Sequence, residues 1–200
     1  LRTWSTNKAQ LHLMEKMDFH CETRLKNDRG EGIDTLYFVK EITGKGIRAY
    51  GYTIGNGKCG IRNTITDVPG VKVGHYTVRK GKNQTGVTVI IPCDGFVYER
   101  KPLAAVYALN GFGKTQGTVQ IEELGVLETP IALTNTLNVG KAADGLVTFT
   151  EKECRKNGKE LVSVNPVVGE TNDSRINQIT ERVIEAEDVL FAIEHAEKNF

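Results

Sequence analysis

From Ile47 onward the chain is built of short apolar runs separated by turn residues. Val71-Lys-Val73 alternates as a half-buried strand does, and Gly74-His75 is expected to close it. Gly86-Val-Thr-Val-Ile-Ile91 is β-branched and stops at Pro92, the pattern of a buried strand. Ala104–Leu109 and Pro130–Thr134 are two further strand candidates, and Leu161–Val164 before Asn165-Pro166 is a fourth. Two segments carry a helical period instead. Ala142, Leu146, Phe149 and Cys154 form a stripe over Lys141–Lys156, and Asn157-Gly158 supplies the stop. Val189, Leu190, Ile193 and Ala196 share a face of a second helix, expected to run to about Lys198. Core strands at Val87–Ile91, Ala104–Leu109 and Ile131–Thr134, mixed with such helices, predict an α/β (α+β) layered domain.

Residues 1–46 differ. Gly30, Gly32, Gly44 and Gly46 break up a charged stretch with one β-like run at Leu36–Val39. The expected organisation is an extension over 1–46 and a main domain over 47–200. The chain does not begin with Met and ends at Phe200 after a helical stretch, which suggests a fragment or a processed subunit.

Charge narrows the function. With 26 Lys and Arg against 25 Asp and Glu, no field of one sign favours a nucleic acid. No apolar run approaches the roughly 20 residues of a membrane helix, and a cytoplasmic location is expected. The four cysteines show no C-x-x-C spacing, so no zinc or other metal site is expected, and free thiols are favoured over two disulfides.

Ala108–Thr115 satisfies a relaxed phosphate-loop pattern, with Ala in place of the first Gly. A phosphate loop must open a helix, and Gln116-Gly-Thr-Val-Gln120 puts Gly and β-branched residues there. Nucleotide binding is therefore a third-ranked reading. His75 is most simply a surface residue, and Glu122-Glu123 project too differently to form a carboxylate dyad. Asn110, Asn135, Asn138, Asn165, Asn172 and Asn177 recur at loop positions. They suit turns, and they also suit a set of amide donors around an oxyanion. Glu170–Ser174 reads equally as a site or as a polar turn.

Several segments in order resemble one family. Asn63-Thr-Ile-Thr-Asp-Val-Pro-Gly-Val-Lys-Val-Gly-His75 is similar to its signature. Ile47–Gly55 before it resembles the family's opening, and Gly86–Pro92, Leu109–Lys114, Glu122–Gly125, Leu127–Ile131, Leu133–Thr136, Val139-Gly140, Val167–Asp173 and Ile176-Asn177 follow with similar spacing. The family is the aminopeptidase/D-esterase group, which includes β-peptidyl aminopeptidases. The resemblance implies a fold like that of ornithine acetyltransferase, two mixed sheets between helix layers, of which this chain holds the front part. It implies a precursor that cuts its backbone before a Ser, which becomes the N-terminal nucleophile. That Ser is expected beyond Phe200, on a β-part that partners this α-part. A small peptide, amide or ester substrate, no cofactor and a homo-oligomer of processed units are implied with it. A non-catalytic fragment or binding protein of the same fold is the runner-up.

By the same resemblance, Asn177 is the oxyanion candidate, while Asn110, Gly111, Gly113, Lys114 and Asn135 line the substrate cleft. Many members carry Glu at the position of Lys114, where it holds the substrate's free amine. Lys114 reverses that charge and turns recognition toward acidic or amine-free substrates. The alternative is that its ammonium reaches solvent with the stem on Phe112.

Overall fold

In a computed structural model, residues 2–16, 19–39, 50–109 and 113–198 are described. The chain divides into two compact units, Leu1–Gly57 and Lys58–Phe200. The boundary expected at 46/47 lies outside the described residues.

In the first unit, β1 (Arg2–Trp4), β2 (His20–Leu25) and β3 (Thr35–Val39) form an antiparallel sheet in the order β1-β3-β2. Helix α1 (Lys8–Lys16) places Met14 in its small interior. Asp34 ties the sheet to the turn before it. It accepts from the Asn27 amide at 2.9 Å and pairs with Arg24. The Asn27 amide and the Arg24 guanidinium hold its carboxyl below the usual carboxylate range.

The second unit is built on a four-stranded mixed sheet of order β4-β5-β6-β7. β4 (Lys72–Lys80) and β5 (Asn83–Ile91) form a hairpin. β6 (Ile131–Asn135) pairs antiparallel with β5, and β7 (Val167–Thr171) runs parallel to β6. Parallel neighbours need a crossover. It is α4 (Val139–Lys156), the predicted helix, whose end falls at Asn157 with Gly158 in the left-handed region at φ 67°. With α5 (Ala186–Glu194), it covers one face of the sheet. Val87, Val89, Ala132 and Val168 meet Ala142, Leu146, Val189 and Ala192 there, all buried. The helices approach closely because Gly145 has no side chain: a Cβ there would lie 2.7 Å from Val189 Cβ. On β4, a Cβ at Gly74 would meet the Ala192 carbonyl and approach Ala196 Cα to 3.1 Å.

Among the described residues, the other face is covered only in part. α2 (Val97–Arg100) and α3 (Thr118–Leu124) supply Val97 and Ile121, which pack with Leu127 and Val167. Beyond this layer, His75 and Leu133 on the same sheet face are exposed, as are Leu103, Tyr107 and Leu109. The class is α+β, as the apolar pattern predicts.

Four local expectations are corrected. Ala104–Leu109 is not a strand: the Leu103–Val126 bridge precedes it, and its backbone finds no ladder among the described residues. Leu161–Val164 is likewise unpaired; the strand lies after Pro166, at Val167–Thr171, where side chains can be buried on both faces. His75 does not close a strand but sits within β4, its Nδ1 2.7 Å from Thr88 Oγ1. Helix α5 stops at Glu194 because Glu197 turns back to bond with the Val73 backbone in both directions, at 3.0 and 3.1 Å.

Glu128 anchors the partly covered side. Its Oε1 accepts from Lys101 Nζ at 3.1 Å, and its Oε2 from the Asn165 backbone and side chain at 2.9 and 3.0 Å. Burial pushes the Glu128 carboxyl up, but the Asn165 hydrogen bonds and the Lys101 ammonium outweigh this and leave it below its ordinary value. A depressed folded pKa stabilises fully above the unfolded value of 4.5 and loses that contribution as pH falls through the folded value. Glu128→Gln should therefore be less stable than wild type near neutral pH, with the gap narrowing on acidification below 4.5. Urea unfolding at a series of pH values checks this; a gap independent of pH would remove the carboxylate from the account.

Candidate active site

β6 and β7 run in parallel and end on the same side of the sheet, where antiparallel β5 begins. Side chains from separate parts of the sequence join there in a hydrogen-bonded line. Asn135, at the end of β6, accepts from Asn138 N at 3.2 Å and from Asn138 Nδ2 at 3.0 Å. Its own Nδ2 donates to Thr85 Oγ1 at 2.8 Å. Thr85 donates to Asp173 Oδ2 at 2.6 Å. Asp173 Oδ1 accepts from Asn177 Nδ2 at 3.1 Å, and Asn177 Oδ1 accepts from Gln84 N at 3.2 Å. The Asn177 backbone amide donates to the Asp173 carbonyl at 3.0 Å, which closes the turn after β7.

Asn135, Asn138 and Asn177 are buried, where an amide without partners is costly. Each bond therefore restricts a rotamer. Asp173 matters most, because its carboxylate is shared by a donor from β5 and a donor from its own turn. One N–H of Asn177 is taken by Asp173; a carboxamide has two.

Of the predicted site residues, Asn135 and Asn177 are thus brought into one network. Asn110 and Gly111 lie outside the described residues, as does Phe112, the proposed rest for the Lys114 stem. Gly113 and Lys114 are exposed, Gly113 with φ 74°. Gln116 pairs with Val168 on the outer edge of β7, both amides bonded, at 2.9 and 3.1 Å. The bridge is antiparallel, so residues before Gln116 head toward the Glu170–Thr171 end, the end that holds the network. Glu170–Ser174 forms a polar turn and also contributes to the network. Asn172 accepts from Ser174 N at 3.0 Å in a local turn, while Asp173 joins the network and Glu170 accepts from Thr136. Thr85 was not singled out by sequence, since a Thr in a strand is ordinary β composition.

Contrary to the expectation from Gln116–Gln120, a helix does follow the phosphate-loop pattern, but α3 starts at Thr118, after Gly117 in the left-handed region at φ 87°. Lys114 and Thr115 lie outside its first turn, and the Gln116 amide is spent on Val168. That is not the amide cradle phosphates require. Among the described residues, no group of three His, Cys, Asp or Glu could hold a metal ion, and all four cysteines are free. No helix among them is long and apolar enough to cross a membrane.

The sequence model of Peptidase family S58 matches residues 63–200. The chain belongs to this family. It is 35% identical over 150 residues to the beta-peptidyl aminopeptidase BapA of Sphingosinicella microcystinivorans, covering 70% of this chain and 36% of that protein. Among solved structures it is similar to the PH0078 protein of Pyrococcus horikoshii OT3, with TM-score 0.71 and 45% identity over 76% of this chain and 46% of that one. It is also similar to the L-aminopeptidase D-Ala-esterase/amidase of Ochrobactrum anthropi, described as a variant of the Ntn hydrolase fold. There the TM-score is 0.64 and the identity 30%, over 72% of this chain and 43% of the relative. The chain spans about a third of the curated relative's length and less than half that of each structural one. The aminopeptidase resemblance and the fold class expected from sequence both stand.

Asp173→Ala should leave the Thr85 hydroxyl and the Asn177 amide without their acceptor. A loss of roughly 1–3 kcal/mol in unfolding free energy is expected, together with faster hydrogen exchange at the Gln84 amide. Unchanged stability and exchange would mean that the network does not hold the turn.

Proposed function

We propose that this chain is the α-portion of a self-cleaving, N-terminal-nucleophile-type aminopeptidase or amide or ester hydrolase. The observation that carries the reading is the family match over residues 63–200, which includes every member of the Asn135–Asn177 network. The nucleophilic Ser is carried by a β-part whose sequence follows Phe200 in the precursor. Its hydroxyl attacks the substrate carbonyl and its own amine takes the proton; collapse of the tetrahedral intermediate breaks the amide or ester bond and expels the amine or alcohol, which receives that proton, and water then hydrolyses the covalent acyl-enzyme. Asn177 donates its second N–H to the developing oxyanion, oriented by Asp173 before the reaction begins. The exposed sheet face with Leu133, together with Leu103, Tyr107 and Leu109, supports a β-part that covers it. The processed units assemble as a homo-oligomer in the cytoplasm, and no metal or organic cofactor takes part.

The test is to produce the precursor with its downstream sequence and measure processing and hydrolysis of p-nitroanilides. Two fragments with turnover are expected, and neither processing nor turnover from the 200-residue chain alone. Turnover by the 200-residue chain, abolished by changing one of its own Ser or Cys residues, would place the nucleophile inside it and overturn the reading.

Lys114 is assigned to the amine end of the cleft. Two like charges about 4 Å apart at an effective dielectric near 20 repel by on the order of 4 kcal/mol before screening. In the processed enzyme, Lys114→Glu should raise kcat/KM for free-amine substrates relative to matched N-acetyl ones by several-fold. An unchanged ratio would show that Lys114 does not read the amine.

A further inference from the structure

At the end of the sheet opposite the Asn135–Asn177 network lies a cavity of about 310 Å³. It opens where β4 begins and β5 ends, beside the last turns of α4. Ile91, Cys93, Phe96, Pro130 and Phe149 give it an apolar wall. Its polar groups stand in two sets. Glu153, Lys156 and Asn157 are occupied with one another: Lys156 Nζ lies 3.3 Å from Glu153 Oε1, and Asn157 Nδ2 donates to the Glu153 carbonyl at 2.7 Å. They close the end of α4. Lys72 is the other set. It is half-buried at the start of β4, beside Ile91 in the sheet register, and no ion pair to it is found among the described residues.

Lys72 is half-buried as a residue, lines the cavity and has no ion pair among the described residues, so an anion held against the apolar wall would find a counter-charge there. The volume is at the small end of ligand-binding cavities, with the usual composition of apolar wall and few polar groups. Of the cations that line the cavity, Lys156 is paired with Glu153, which leaves Lys72 without an ion pair among the described residues; just beyond the lining, Arg100 and Asp94 act on Cys93 with opposite sign. A dianion such as a phosphate would find only one partner, and a cation would be repelled.

We propose that this cavity binds a small monocarboxylate with a compact apolar body, its carboxylate on Lys72 and its body against Phe96, Pro130 and Phe149. The inference does not depend on the nucleophile or on processing. A ring with a two-carbon arm, of about a dozen heavy atoms, is the size class such a volume accepts.

Cys93 reports on occupancy, since it lines the cavity and burial raises its thiol pKa above the ordinary value. Cys21 and Cys59 are exposed and serve as internal controls. The experiment is alkylation of the full chain by iodoacetamide, followed residue by residue by mass spectrometry, with added 3-phenylpropionate or its uncharged amide. 3-Phenylpropionate should slow Cys93 saturably and leave Cys21 and Cys59 unchanged. The amide should need about tenfold more ligand, the worth of one partly desolvated charge contact. In Lys72→Met, the carboxylate should lose that advantage and protect no better than the amide. Absence of saturable protection at about 10 mM carboxylate, beyond the weakest useful affinity, would overturn the proposal. Equal protection of the wild-type chain by acid and amide would also overturn it, whether or not the variant folds.

Discussion

The packing of α4 and α5 on Val87, Val89, Ala132 and Val168 is the contact on which the Lys58–Phe200 unit depends. It demands small residues at particular places, because two helices and a sheet can interdigitate only where backbone approaches backbone. Gly145 and Gly74 meet that demand. With the helices seated, α4 serves as the crossover that lets β7 lie parallel to β6. That placement brings the ends of both strands to one side, where Asn135 and the turn at Asp173 come within reach of Thr85. The chemistry at that end is thus downstream of a packing event on the sheet face.

The opposite face explains why the apolar pattern misled in one region. Ala104–Leu109 has the composition of a core strand, yet it finds no ladder among the described residues, and Tyr107 and Leu109 stand exposed. Periodicity reports that a segment can be buried, not which partner buries it. Leu161–Val164 went wrong for a related reason. The true strand two residues further on begins directly after Pro166, and Val167 and Val168 take opposite faces, which reads in sequence as a mere apolar pair. By contrast, β6 and α4 were legible within a residue or two, and β5 to its last residue, though it begins three residues before Gly86.

The candidate site was legible in part. Asn177 and Asn135 stood out only through the family resemblance, since Asn at a loop position is ordinary turn chemistry. Thr85 and Asp173, which join them, carry no local signal that marks the partnership. In the first unit, β1, β2 and α1 were missed because their strands and helix are short and mostly polar, so neither period emerges.

The bond between Gln84 N and Asn177 Oδ1 spans 93 positions of the chain, and that between Thr85 and Asp173 spans 88. Contacts so remote close only after the intervening strands and helices have assembled, which places them among the later events of folding. An amide aimed by such partners has no fixed direction in a nascent or half-assembled chain. Under the proposed function, a self-cleavage that relies on Asn177 would be timed by completion of the fold, and a chain emerging during synthesis would be protected from cutting itself too soon.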